Sequence, residues 1–474
     1  MAIALVWHGF QGWVLQNGYP YNTFLFIPDI SYTDFLNARD VALRANPYLD
    51  RAEGYLPASY AIFFRVFSWF RPVDSFLLFM IVGVCVPLLV SIYVLHPIAG
   101  ERLLALRARA MKRALQSSSK PMLKKSWLAA SQRLPKVDFP RIYVLSLFYG
   151  LAFLYLSYPM WMVIDRANNE IYIALFLGLS LVFISQCRYG IGLAWLLPGI
   201  CFKMYPAVLL VLFLRRGKLR WIVLAAAGFL LITWGSYASF SGPISKDLEL
   251  EQQAISIVYD KFIIGNWGMG GSATPWNGWK FILEWVNYQG DGSPQSIEIN
   301  RISLIPVFKS QLVVFNVCCM LGAVAVTLYA CFVEKEFLRR VVVLLLYLVM
   351  AGPYGGEYKL LHVITALMAM LLLRTRRPCD LAIIVLLAFT LIPKKEMLLP
   401  FAGVTDGGAK DVSVAILLNP LAMLTVIALL VRDSFRQWNL SWSTKRFQIL
   451  LSSFQVSWLR RSSSSSEAHL QTKK

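Results

Sequence analysis

Charge is scarce in this chain: Asp, Glu, Lys and Arg make up 15% of its 474 residues, where a soluble domain carries about a quarter. Histidine is scarcer, with four residues and no HxxxH pair. None of the seven cysteines (Cys85, Cys187, Cys201, Cys318, Cys319, Cys331, Cys379) forms a CxxC. Those absences exclude a structural zinc site by spacing and leave a disulfide framework unsupported. The glycine-rich stretch Gly265–Gly271 lacks the GK[ST] of a Walker loop and reads as a flexible loop. Cytosolic nucleotide-sugar chemistry needs a large soluble domain, and no stretch has that composition. The net charge of +20 brings nucleic acid to mind. No basic module interleaved with aromatics accompanies it, so nucleic acid is not an expected partner.

Apolar residues are what the chain has in excess, at 57%, with a mean hydropathy of +0.57. Several continuous runs reach the roughly 17–25 residues that a helix needs to cross a bilayer. A transmembrane barrel would alternate apolar and polar positions instead. The expected fold is therefore an all-α polytopic membrane protein, a multi-span helical bundle of roughly ten spans with extracytoplasmic loops. Membrane lipids are its first partners.

Basic residues orient it. Between Glu101 and Arg141 stand eleven Lys or Arg against two acids, and residues 432–474 are also basic. Such segments lie in the cytoplasm. The resulting division is 1–96, N-terminal spans with an extracytoplasmic loop; 97–141, a basic cytoplasmic loop; and 142–238, a membrane core. It continues with 239–310, an extracytoplasmic loop without a sustained apolar run; 311–432, C-terminal spans; and 433–474, a basic cytoplasmic tail. Met1–Gln16 is apolar but short, with no basic leader or cleavage site, and does not read as a signal peptide. Tyr55–Phe70 reads as a tilted interfacial helix and Val73–Leu95 as a span. Ile191–Leu214 has basic residues at both ends and Pro206 past its middle, so a re-entrant hairpin with its apex at Lys203–Pro206 is expected.

Two short charged stretches interrupt the apolar sequence: Asp165-Arg166-Ala167-Asn168-Asn169-Glu170 and Lys203-Met204-Tyr205-Pro206. Charge at membrane depth is costly and usually faces a cavity. On the topology above, Asp34, the 165–170 stretch and the late groups Glu357, Tyr358 and Lys394 share the extracytoplasmic face. A carboxylate there can take a proton from a hydroxyl, and cations can stabilise a departing phosphate. The plainer readings are that Asp34 is a solvated loop acid or helix cap, that Arg166 anchors a span end, and that the late loops are polar because they are short.

The order Thr33-Asp34-Phe35, Asn46-Pro47-Tyr48, Asp165–Glu170, then Phe202-Lys203-Met204-Tyr205-Pro206 resembles polyprenol-phosphate-dependent mannosyltransferases of the GT-C superfold. In particular it resembles glycosyltransferase family 87, and more distantly the catalytic mannosyltransferase of glycosylphosphatidylinositol assembly. The resemblance is clearest from Asp34 to Trp221 and loose beyond. It implies Asp34 as catalytic base, with Asp29 and Asp40 as nearby competitors for that role. It matches Arg166 and Asn168 to the Arg and Asn of an RGN motif, and Lys203, Tyr205 and Pro206 to K-x-YP. Glu170, Glu357, Tyr358 and Lys394 would join them in binding substrate. Ala167 departs from the pattern, standing where that group usually has glycine.

The implied reaction moves a sugar, mannose or a similar one, from a polyprenyl-phosphate donor to an extracytoplasmic glycolipid or glycan acceptor. No cofactor is certain; some GT-C enzymes use a divalent cation. The implied location is a bacterial plasma membrane. A secondary transporter or lipid flippase is the alternative, and a non-catalytic subunit of an assembly machine a third. The transporter predicts pseudo-symmetric halves with paired broken helices, whereas the sequence offers one broken segment, at Pro206.

Overall fold

The computed structural model describes residues 32–49, 55–83, 157–214, 217–265, 274–287, 294–373, 377–394 and 411–437, with 14, 16, 85 and 398–400 besides. The basic 97–141 loop, the 438–474 tail, residues 1–13, Asp29, Lys395 and most of the glycine-rich stretch lie outside them.

The first part of the fold comprises α1 (Thr33–Ala42), α2 (Ser59–Ser68) and α3 (Pro72–Gly83), α4 (Tyr158–Arg166) and α5 (Glu170–Ser185). It continues with α6 (Tyr189–Phe202), α7 (Tyr205–Leu214) and α8 (Leu219–Ala238). The second part holds α9 (Ile244–Val258), α10 (Pro275–Asn287), and α11 (Pro294–Leu328), which runs on to Val333. After it come α12 (Phe337–Met350), α13 (Leu361–Leu372) and α14 (Asp380–Thr390). A small antiparallel pair, β1 (Leu398–Pro400) and β2 (Asp411–Ser413), sets Leu399 opposite Val412 and leads into α15 (Ala415–Gln437).

Among the described residues, three helices are long and apolar enough to cross a membrane: α8, α11 over Ile302–Val333, and α15. The first two expose their apolar side chains, including Leu224, Leu231 and Trp234 on α8 and Val313, Met320, Leu321 and Phe332 on α11. Apolar surface on that scale is not left to water in a stable monomer. By contrast α12 is buried nearly end to end and forms the core with α13, α5 and α6.

Tyr55–Phe70 and the run after it differ from the expectation of an interfacial helix followed by a straight span. Here α2 and α3 form one unit bent by 113°, and the break falls at Arg71-Pro72, where proline disfavours helix in the residue before it. Residues 239–310, although they lack a sustained apolar run, hold α9, α10 and the first part of α11, which begins at Pro294, ahead of the Gln311 start read from the sequence. Arg339 and Arg340 are buried in α12.

At Lys203 the backbone turns extended (φ −150°, ψ 127°) and α6 stops. Pro206 explains this. A proline ring clashes with the carbonyl four residues back and donates no bond to it, so the Phe202 carbonyl has no partner within a helix. The Ser59 hydroxyl donates to that carbonyl at 3.0 Å. The chain then folds back on itself: the rings of Tyr189 and Phe213 lie 5.9 Å apart, although an unbroken helix would separate them by roughly 36 Å.

One end of the bundle is pinned by ions. Arg377 forks onto Glu334 with both bonds at 3.0 Å, Ser434 also donates to Glu334, and Arg339 pairs with Asp380 at 2.7 Å. Burial raises the proton affinity of Glu334, but the Arg377 fork and Ser434 more than offset it and hold the carboxyl below the usual range. The staple joins the ends of α11 and α15 to the starts of α12 and α14. The loop between α12 and α13, at the other end, carries the candidate site.

Candidate functional site

The stretch Asp165–Glu170 is two local motifs in series. Ala167 closes α4 in the left-handed region (φ 47°, ψ 43°). Its N–H donates to the Ile164 carbonyl, and the Asn168 N–H donates to the Val163 carbonyl. That is a Schellman cap, whose left-handed residue is usually glycine. Ala167 fills that left-handed position here. Asn168 then accepts the Glu170 N–H at 3.0 Å, an Asx turn that starts α5. Ala167 is buried, so Ala167→Val places a β-branched residue in a conformation it resists, in a filled space. A loss of about 3 kcal/mol is expected, read as a lower unfolding midpoint in detergent, whereas Ala167→Gly stays within about 1 kcal/mol of wild type.

These turns aim side chains at Asp34 in the first turn of α1. Arg166 donates to one Asp34 oxygen at 2.8 Å and Asn168 to the other at 2.7 Å. The Tyr32 N–H bonds the Asp165 carbonyl at 2.7 Å, holding the two loops together. Asp34 and Arg166 stay partly open, at 18% and 25% exposure. Burial lowers the proton affinity of Arg166, but the Asp34 carboxylate reverses this and the net shift is upward. The competing acid Asp40 pairs with Arg39 and is exposed.

Deeper in, Glu170 is fully buried and takes three partners: Lys203 at 2.6 Å, His362 at 2.7 Å and the Tyr205 hydroxyl. Lys203 reaches Asn168 as well, at 3.3 Å, so Asn168 joins the Asp34 and Glu170 groups. Lys203 also lies 5.4 Å from the Tyr358 ring and 5.9 Å from the Tyr55 ring. The Lys359 ammonium sits 4.9 Å from the Tyr205 ring and donates to the Tyr354 carbonyl at 3.1 Å. Burial pushes its pKa down to about 8, partly countered by Glu170 and reinforced by Lys203. Tyr358 is held protonated, by burial first and then by Tyr354, Glu170 and Asp34 nearby.

Glu357 and Lys394 stand apart from this cluster. Tyr158 donates to Glu357 at 2.7 Å. Lys394 donates to Asn419 at 2.8 Å and to the Phe389 and Ile392 carbonyls, bonds that tie α14 to α15. Burial pushes Lys394 down to about 8, with Glu357 acting in the opposite direction.

The structure thus brings Asp34, Arg166, Asn168, Glu170, Lys203, Tyr205 and Tyr358 together. His362 was missed from sequence, and Lys359, part of the late 353–359 loop expected on the same face, was not singled out as a site residue. The reasoning that singled out Lys203 would have found His362, an ionisable residue in the apolar run Leu360–Leu373. Asn169 is buried, and its side-chain amide has no hydrogen-bond partner among the described residues. No group of three His, Cys, Asp or Glu side chains is placed to hold a metal ion among the described residues. Chemically, the site offers a partly open carboxylate, Asp34, paired with Arg166 and linked through Asn168 to Lys203. That set suits a neutral hydroxyl next to an anion.

No protein-family model matches the chain, and no curated protein or solved structure matches it.

Proposed function

We propose that this chain is a multi-pass integral membrane glycosyltransferase. It moves a sugar, mannose or a similar one, from a polyprenyl-phosphate donor to a glycolipid or glycan hydroxyl at the extracytoplasmic face of a bacterial plasma membrane. The observation that carries the reading is the Asp34 carboxylate, accessible and held by Arg166 and Asn168 at the edge of a buried cationic cluster. Outward apolar faces on α8 and α11 support the membrane setting.

In this mechanism the acceptor oxygen attacks the anomeric carbon while the bond from that carbon to the phosphate oxygen breaks. The acceptor proton passes to Asp34 and the bonding electrons leave with polyprenyl phosphate. Arg166 and Lys203 neutralise the departing anion, and Lys359 adds a third positive charge below its pKa. Attack opposite the leaving group turns a β-linked donor into an α-linked product. The test is transfer of radiolabelled sugar from polyprenyl phosphates to lipid-extract acceptors by purified protein in proteoliposomes. Labelled glycolipid that depends on the protein supports the reading, and none with any donor or extract overturns it.

A transporter or lipid flippase has one specific observation in its favour. The bent α2–α3 unit and the break at Lys203 are two interrupted segments, and the first residue of α2 bonds the end of α6 through Ser59 and Phe202. Paired interruptions are what alternating-access proteins use. Movement of labelled lipid across the bilayer without a new covalent product would favour it.

Lys359 makes the pH dependence distinctive. Its folded pKa of about 8, shared by Lys394, lies below the ordinary 10.5, so between those values the unfolded chain binds more protons than the folded one at both lysines. Stability therefore rises as pH climbs from 8 toward 10.5. Transfer, which uses the charged form, declines over the same window. Parallel pH–rate and unfolding profiles should diverge above pH 8, and Lys359→Arg should carry the activity limb to higher pH. Profiles that move together would remove Lys359 from the mechanism.

A further inference from the structure

α10 is amphipathic in the reverse sense to a helix in water. Its polar residues Asn277, Lys280 and Glu284 are buried together with Trp276 and Phe281, whereas the apolar Trp279, Ile282, Trp285 and Val286 are exposed. In water a helix hides its apolar stripe. Turning that stripe outward while burying a lysine and a glutamate fits an apolar medium outside.

Its position fixes which medium. Trp276 packs against Leu304, Phe308 and Leu312 of α11, with its ring 5.5 Å from that of Phe315. Glu334 and Arg377 mark one membrane boundary, just past Val333. A hydrocarbon core of about 30 Å takes about twenty helical residues, which reaches the neighbourhood of Val313. α10 therefore lies where the opposite boundary falls, the depth at which tryptophan concentrates. Val313, Val314 and Val317 of α11 are exposed as well. The helix is clamped in place: Gly278 abuts the Ile416 carbonyl so closely that any Cβ would come within 2.8 Å.

The same helix is joined to the candidate site. Thr274, the residue before it, donates to the Pro353 carbonyl at 3.5 Å. Trp276 donates to the Ile263 carbonyl at 2.8 Å, and Phe262, one residue earlier, packs its ring 5.0 Å from Tyr354. Both contacts end on the loop that carries Tyr358 and Lys359.

We propose that Trp279, Ile282, Trp285 and Val286 form a lipid-docking face, seated at the headgroup–acyl boundary of the leaflet on the side of the site. Through Thr274 and Phe262 this face sets the height of the 353–359 loop above the bilayer, so that the site opens at the level of lipid headgroups. The inference rests on the membrane setting given under Proposed function, and not on glycosyl transfer.

The test uses the full chain in nanodiscs of phosphatidylcholine carrying a diazirine either near the glycerol or near the end of the acyl chain. After illumination, adducts are mapped by mass spectrometry. Glycerol-proximal probe should label Trp279, Ile282, Trp285 and Val286 about five-fold or more above the exposed Gln252 and Gln253 of α9. The chain-end probe should label Met320 and Leu321 of α11. Label on α11 without label on α10 overturns the docking face and leaves the membrane setting intact. Label on neither overturns the membrane setting itself. Loss of label on α10 in nanodiscs that hold two copies of the chain, as read by their mass, assigns the face to a second copy and also overturns the proposal. The double variant Trp279→Gln/Trp285→Gln should keep the α11 pattern while losing most adducts on α10, and unchanged α10 labelling counts against the proposal.

Discussion

Asp34→Asn is expected to lower sugar transfer by about 10³-fold, within the range that removal of a general base produces, while leaving the protein folded. The substitution keeps a side chain of the same shape, and one Asn168 bond and the helix start survive it. Its structural cost is the ion pair to Arg166, at 2.8 Å and partly open to solvent. Such a pair contributes about 1 kcal/mol. Single-turnover transfer by equal amounts of wild type and variant separates the two effects. Asp40→Asn is the control: that acid is exposed and paired to Arg39 on the same helix, and its loss should change the rate less than about two-fold. Full activity in Asp34→Asn would remove it as the base. A transfer rate that is untouched while a partner assembly dissociates would point to the non-catalytic subunit.

Glu170→Ala should be among the most destabilising single changes in the chain, at about 3–5 kcal/mol. Removing one partner of a buried ion pair leaves the other charge uncompensated. Here Lys203 loses its 2.6 Å partner, and His362 and Tyr205 lose the acceptor they share. Glu170→Gln retains an acceptor and should lose less. The informative variant is Glu170→Leu with Lys203→Met, which deletes both charges and should recover much of the loss. A double-mutant cycle on unfolding midpoints in detergent reads the coupling directly. If Glu170→Ala unfolds at the wild-type midpoint, the buried network is not holding the site together.

Much of the local structure was legible. The shortage of charge and the excess of apolar residues called for helices, and among the described residues helix predominates, with one short strand pair. The interruption at Lys203 follows from Pro206, and the capped turn at 165–170 is written in consecutive residues. The bend between α2 and α3 was less legible, because apolar runs on either side of Pro72 look the same whether they are collinear or folded at 113°. The helices of 239–310 left little trace in the sequence for a related reason. Its helices pack through scattered residues such as Trp276 and Lys280 and need no continuous apolar run. Lys394 shows the opposite limit: it was grouped with the site by topology, yet its bonds go to Asn419 and two carbonyls.

What the sequence by itself determined is therefore what neighbouring residues decide: where helices run, where proline stops them, and which turn needs a left-handed residue. These depend on interactions reaching about four positions along the chain. Only the tertiary structure decided that Arg166 meets Asp34 across 132 residues and that His362 meets Glu170 across 192. Contacts of that separation exist because α1, α5, the Lys203 turn and α13 pack on one core, and no spacing in the chain encodes which buried charge will face which.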